Sequence, residues 1–169
     1  MYVRIGRGGA GRGIFHDQCQ LLRVMDTTSS ADLLNAYHGT RFVIADTHVV
    51  RIGEPLPDTL VAWLRLHNTT CGAILGAEYP FSQPTSAEEN DRRHTMLINE
   101  CASRNIPWLE AVGIGDDWQE RHVAVAGVDD TDALDFCRRY EQNAVVVFDV
   151  DSGARLVFAE VYNTNVRYL

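Results

Sequence analysis

Short apolar runs alternate with amphipathic segments along most of the chain, and turn-forming residues separate them. Alternating or unbroken apolarity over a few residues is typical of strands, whereas apolar positions spaced by three and four residues are typical of helices. The pattern predicts the order α-β-β-α-β-α-β-β-α-β-β. It indicates a single-domain α+β fold with a mixed, largely antiparallel sheet and about four helices packed mainly on one face.

Capping residues, prolines and turns locate these elements. We predict strands at residues 41–45, 48–52, 71–77, 106–114 and 121–128, and a final hairpin across residues 151–153. We predict one helix after Ser29 or Ser30, one beginning near Asp58, one from Ser86 to about Asn105, and one capped by Asp129 or Asp130.

The helix that begins at Ser86 has the clearest boundaries. Ser86 and Glu89 have the spacing of a capping box, and Pro107 stops the helix beyond its C-terminal end. Helical spacing places Leu97, Ile98 and Cys101 on one apolar face, which we predict to be core, and it pairs Arg93 with Glu89.

The first residues of the chain contain a glycine motif. Gly6, Gly8 and Gly11 match the dinucleotide-binding fingerprint G-x-G-x-x-G. That fold also needs a long crossover helix, and the residues up to Asp26 are too few to supply one and begin a parallel strand. We therefore interpret residues 1–24 as a glycine- and arginine-rich leader outside the core fold, with a single domain at residues 25–169 and no nucleotide cofactor.

Composition and charge narrow the possible functions. The chain has 169 residues and a net charge of −8, which disfavours binding to nucleic acid or to an anionic membrane surface. The four cysteines, Cys19, Cys71, Cys101 and Cys137, are widely spaced, so we expect reduced thiols in a cytoplasmic, bacterial-type protein and predict no metal site.

Polar residues gather where the Ser86 helix begins. Ser82, Thr85 and Ser86 supply hydroxyls beside exposed N–H groups at the positive end of a helix dipole, a place that accepts anions. Asn90, Arg93 and His94 follow within the next two turns and complete a possible ligand site. The alternative interpretation is structural, because caps and loop contacts employ the same residue types.

Two further segments carry candidate chemistry. Glu120 and His122 lie two residues apart on a predicted strand and therefore point the same way, which suits acid–base chemistry or a metal. We favour the simpler interpretation, an exposed strand end with ordinary charges. Gln142 and Asn143 close a helix and enter a strand, where either amide can cap a turn or reach a ligand.

Three stretches together resemble the bacterial domain of unknown function family numbered 3293. They are PTSAEENDRR at residues 84–93, WLEAVG at residues 108–113 and RRYEQNAVV at residues 138–146. The resemblance covers about residues 33–158 and rests on Pro84, Ser86, Glu89, Asn90 and Arg93 and on Gln142 and Ala144. Tyr79 stands where the family pattern has Asn, Tyr140-Glu141 stands for Phe-Gly, and Glu120-Arg121-His122 stands for Glu-Pro-Ser. The resemblance implies a fold and leaves the reaction open.

Two classes of function fit the sequence. The first is a non-catalytic interaction or regulatory module whose partner is an unidentified protein, and we expect this class because each polar residue has an adequate structural role. The second is an enzyme or binding protein for a small anionic ligand. Its site would comprise Ser82, Thr85, Ser86, Asn90, Arg93, His94, Glu120 and Gln142.

Overall fold

A computed structural model describes residues 30–116 and 118–159, which form a seven-stranded sheet and four α-helices. The helices are α1 (Ser30–Gly39), α2 (Asp58–Leu66), α3 (Ala87–Ser103) and α4 (Asp130–Arg139). The strands are β1 (Arg41–Ile44), β2 (His48–Arg51), β3 (Cys71–Gly76), β4 (Trp108–Ile114), β5 (Gln119–Ala126), β6 (Ala144–Asp149) and β7 (Gly153–Phe158). This is the predicted order, so the α+β class is confirmed. The predicted leader and its glycine motif lie outside the described residues.

The sheet has the strand order β2-β1-β4-β5-β3-β6-β7, and every neighbouring pair is antiparallel. Three hairpins supply the pairs β1–β2, β4–β5 and β6–β7, and β3 inserts between β5 and β6 antiparallel to both. The sheet is therefore more regular than the mixed sheet that the sequence predicted.

The helices cover both faces of the sheet. On one face, Leu97 of α3 and Phe136 of α4 pack against alternate residues of β3, β5 and β6. On the other, Leu60 and Leu64 of α2 pack against the remaining residues of the same strands. We expected helices mainly on one face. The central strands are buried at every position along most of their length, and a strand that is apolar in both alternations needs cover on both sides.

The α3 helix has the predicted boundaries and orientation. Ser86 is its N-cap, and its Oγ accepts a hydrogen bond of 3.1 Å from the backbone N–H of Glu89. Leu97 and Cys101 are fully buried, and Ile98 packs partly buried against the same cluster. The prediction that this apolar face is core is confirmed.

Replacing Ser86 with alanine should lower the free energy of unfolding by about 1 kcal/mol, because the N–H of Glu89 loses its acceptor. Urea unfolding followed by circular dichroism measures the change. Thr95→Ala, at an exposed position of the same helix, is the matched control. Equal effects of the two substitutions would show that the Ser86 cap contributes nothing.

The cysteines within the described residues, Cys71, Cys101 and Cys137, are free thiols, as predicted. Burial raises the pKa of Cys101 and of Cys137 to about 11, so both remain protonated at neutral pH. None of the helices between residues 30 and 159 that the structure describes is both long and apolar enough to cross a lipid bilayer.

Candidate functional site

A small cavity lies on the α2 side of the sheet, where β3 ends, β5 begins and the chain turns into β6. Its volume is about 30 Å³, which is room for about two water molecules. Three aromatic residues, Tyr37, Phe42 and Trp118, and three polar residues, Glu120, His122 and Gln142, contribute to its lining. The cavity thus brings together Glu120 and Gln142 from the predicted ligand-binding set, and adds His122.

Two glycines on the neighbouring strands make room for the imidazole of His122. A Cβ atom on Gly113 of β4 would lie 2.9 Å from His122 Cε1, and one on Gly76 of β3 would lie 3.4 Å from Nε2. The ring of Phe42 meets the imidazole edge to face, with centroids 5.4 Å apart. A Cβ at Gly113 would force the imidazole to move, whereas one at Gly76 would only touch it, so the absence of a side chain at Gly113 sets its position.

One nitrogen of His122 is engaged by the backbone. Nδ1 lies 3.0 Å from the carbonyl oxygen of Glu120. A carbonyl oxygen only accepts, so Nδ1 carries the proton and donates it. Burial lowers the pKa of His122 to about 4, against the opposing effects of that hydrogen bond and of the Glu78 carboxylate. The imidazole is therefore neutral at neutral pH, and Nε2 presents a lone pair toward Gly76.

Glu120 brings an unsatisfied carboxyl group to the same cavity. Its Oε1 is buried and has no hydrogen-bond partner among the described residues. Burial, reinforced by the negative charge of Glu78, raises the pKa of Glu120 to about 8. At neutral pH the carboxyl is mostly protonated and neutral. Buried oxygen atoms without a partner are rare in folded proteins because they cost free energy.

Gln142 presents its amide oxygen to the cavity. Its Nε2 donates to the carbonyl oxygens of Glu78 at 2.9 Å and Tyr140 at 3.1 Å, which fixes the orientation of the amide. Oε1 lies 3.2 Å from the position that a Cβ on Gly76 would take. The two acceptors, Gln142 Oε1 and His122 Nε2, therefore border the same space above Gly76.

An ion pair between buried Glu78 and half-exposed Arg121 lies beside the cavity. The carboxylate of Glu78 accepts two hydrogen bonds from Arg121, one from the side-chain Nε at 2.6 Å and one from the backbone N–H at 3.1 Å. The Nη2 of Arg121 contacts Glu78 and donates to Asp91 at 2.6 Å. Sequence reasoning missed Glu78. Its one signal is that a charged residue directly follows the apolar run of β3.

The chain between β3 and α3 forms a strained turn. Tyr79, Phe81 and Ser82 have positive φ angles of 47°, 50° and 58°, and Glu141, whose carbonyl accepts the N–H of Phe81 at 2.6 Å, has a φ of 56°. Asn and Gly adopt this conformation more readily than other residues. The family pattern has Asn and Gly at positions 79 and 141, so its two departures there coincide with left-handed backbone.

The residues predicted at the start of α3 mostly hold this turn. The Nδ2 of Asn143 donates to Ser82 Oγ at 2.8 Å, and the N–H of Tyr79 donates to Asn90 Oδ1 at 3.1 Å. Thr85 lies partly buried in the loop that precedes the helix. The prediction of an anion site here stays a prediction, although several of the groups that it needs are engaged within the protein.

Arg93 does not pair with Glu89, so that prediction is wrong. Arg92 makes the pair instead, with its Nε 2.8 Å from Glu89 Oε2. Arg93 turns toward the sheet and donates to the carbonyl oxygens of Ala77 at 2.6 Å and Tyr140 at 2.5 Å. These carbonyls belong to buried residues and cannot reach water, so they compete more strongly for a guanidinium than an exposed carboxylate on the same helix does.

His94 lies away from the cavity, above the opposite face of the sheet. Its Nε2 is 3.4 Å from Glu110 Oε2 of β4, and its Nδ1 is buried without a partner among the described residues. Arg93, His94, Glu120 and Gln142 therefore do not share one cavity. Within the described residues, no three His, Cys, Asp or Glu side chains are grouped so that they could hold a metal ion.

The fold and the cavity define an antiparallel α+β domain with a small polar pocket at the end of its central strands. Residues 75–145 match the model of a family described as Protein of unknown function (DUF3293), so the resemblance is confirmed over this segment. It contains the last two residues of β3, the strained turn, α3, β4, β5, α4 and the cavity residues from Gly76 to Gln142. No match to the chain was found among the curated proteins or the solved structures.

Proposed function

We propose that the cavity at Glu120, His122 and Gln142 is a ligand site, and that the domain binds a small molecule or a single side chain of a partner through it. The main support is the convergence of three polar side chains, from β5 and the turn before β6, on one space with room for about two water molecules. Glu120 Oε1 finds no partner within the described residues, which leaves hydrogen-bonding capacity for a bound group.

A non-catalytic interaction module is the second candidate, and it is favoured by a different observation. Ser82, Ser86, Asn90 and Arg93 serve as caps or as hydrogen-bond partners within the fold, as a module without a ligand would have them. The net charge of −8 suits a basic partner protein.

An NMR titration tests the ligand site. Backbone amide spectra of the full chain are recorded with methanol, acetamide, methylammonium, acetate and phosphate. We expect at least one probe to shift the amides of Gly76, His122 and Gln142 together. Gly76→Ala should raise the dissociation constant obtained from that shift about tenfold or more, because a Cβ there meets Gln142 Oε1 at 3.2 Å and His122 Nε2 at 3.4 Å.

Gly39→Ala is the matched control, since a Cβ at that position has no atom within 4 Å. Shifts scattered over the surface, or equal in Gly76→Ala and the unmodified chain, would contradict the ligand site and favour the module. Shifts confined to Ser86, Asn90 and Arg93 with phosphate or acetate would instead support the anion site at the start of α3.

A further inference from the structure

The polar groups of the cavity are complementary to a donor rather than to an anion. His122 Nε2 offers a lone pair because Nδ1 holds the proton. Gln142 Oε1 faces the same space because the amide nitrogen is engaged by two carbonyls. Glu120, once ionised, adds a third acceptor. An ionised carboxylate can only accept, so it would meet two fixed acceptors that it cannot satisfy.

The aromatic lining adds a preference for positive charge. The side chains of Tyr37, Phe42 and Trp118 border the same cavity. Aromatic faces attract cations through the ring quadrupole, most strongly where water is excluded. Room for about two water molecules suits a compact cation head rather than a planar guanidinium with its larger outline.

On this basis we propose that the cavity binds a primary ammonium group, R–NH₃⁺, whose three N–H bonds are directed to His122, Gln142 and Glu120. The inference rests on the ligand site proposed above and specifies its chemistry. Three donors meet three acceptors, and the cation meets a carboxylate within an acidic protein.

Binding of the cation displaces a proton from Glu120. The neutral carboxyl loses its Oε proton to solvent, and the ammonium takes the place of that proton as the positive charge beside the carboxylate, so charge and atoms balance. The pKa of Glu120, about 8, then sets the pH at which the displacement ceases. Among the described residues, the ionisable groups near Glu120 and His122 are Tyr37 of α1, Glu78 after β3 and His94 of α3; Arg121 of β5 pairs with Glu78 and with Asp91 of α3.

Two sources can deliver a primary ammonium: a free amine or a lysine side chain of a partner protein. The full chain is therefore titrated by calorimetry with methylammonium and with the peptide acetyl-Gly-Lys-Gly-amide. The same peptide with its lysine Nε acetylated lacks the charge and serves as the ligand control. Binding of the lysine peptide about tenfold tighter than methylammonium would assign the site to a partner protein, and equal binding would assign it to free amines.

The expected result has three parts. As pH rises, the dissociation constant should fall about tenfold per pH unit until a pH of about 8 and then level off, because one proton leaves for each ligand bound. Calorimetry in two buffers of different ionisation enthalpy should show that proton release. Glu120→Gln should weaken binding about tenfold or more and abolish the pH dependence.

Glu88→Gln removes the same charge at an exposed position in the first turn of α3 and should leave binding unchanged. The inference is overturned if acetamide, methanol or the acetylated peptide binds as tightly as methylammonium, with no proton released; the ligand site itself would then stand. If none of the probes binds in the cavity, both the ligand site and the ammonium assignment are wrong.

Discussion

Replacement of Arg93 by methionine is expected to lower the free energy of unfolding by about 3 to 5 kcal/mol. The guanidinium donates to the carbonyl oxygens of Ala77 and Tyr140 and pairs with Glu141 Oε2 at 3.0 Å. Ala77 and Tyr140 are buried, so methionine would leave the Ala77 carbonyl oxygen without its donor and the Tyr140 carbonyl oxygen with Gln142 Nε2 alone, both shielded from water. Urea unfolding monitored by tryptophan fluorescence measures the loss.

Arg92→Met is the matched control for this substitution. Arg92 is the neighbouring residue on α3, and its pair with Glu89 is exposed, so its loss should change stability by no more than about 0.5 kcal/mol. Arg93→Lys should fall between the two, because one ammonium cannot reproduce the forked geometry. If Arg93→Met and Arg92→Met cost the same, Arg93 does not hold the fold in the way that its contacts indicate.

Arg93 also connects stability to the cavity. The Tyr140 carbonyl that it binds is also a partner of Gln142 Nε2, and the Ala77 carbonyl directly precedes Glu78, the other partner of that amide. Arg93 is thus a positioning residue for Gln142. In the folded fraction of Arg93→Lys, we expect the side-chain amide resonances of Gln142 to move, which a purely local loss of stability would not cause.

The second large effect concerns pH. Subtracting the unfolding free energy of Glu120→Gln from that of the unmodified chain should give a difference that falls as pH rises from about 4.5 to about 8, by roughly 3 to 5 kcal/mol in total. The folded state raises the pKa of Glu120 and so binds its proton more tightly than the unfolded chain does. The stability that Glu120 contributes is complete below about 4.5 and is lost as the group is forced to ionise.

His122 should produce the opposite slope. Its pKa falls from 6.5 to about 4 on folding, so the unfolded chain binds the proton more tightly. The corresponding difference for His122→Gln should fall as pH decreases from about 6.5 to about 4, by about 3 kcal/mol. Background titration of the other groups cancels in both differences. Flat difference curves would show that neither group is desolvated as described, and would remove a main support of the cavity proposal.

Local sequence patterns predicted the elements of this fold closely. The capping box at Ser86, the cap at Asp129 and the hairpin before Gly153 lie where the sequence placed them, because each depends on residues adjacent in the chain. The apolar face of α3 could also be predicted, because the helical period by itself places Leu97 and Cys101 on the same face.

Local sequence patterns could not predict which of the candidate residues share the cavity. Glu120 and His122 were singled out because alternation on a strand puts them on one side, and that relation is local. Gln142 joins them only because β3 inserts between β5 and β6, which brings the turn before β6 next to the end of β3. Arg93 and His94 were placed in the same set by helical spacing, yet α3 lies on the other face of the sheet.

The sequence by itself therefore determined the class of fold, the order of its elements and the caps that bound α3, because these follow from interactions between residues close in the chain. The tertiary structure alone decided which partner each polar side chain takes. Arg93 binds two carbonyls rather than Glu89, and the missing side chain at Gly113 leaves the room in which the His122 imidazole lies. Both arrangements depend on contacts between strands and helices that are far apart in sequence. Local sequence patterns do not contain information about the energies of such contacts.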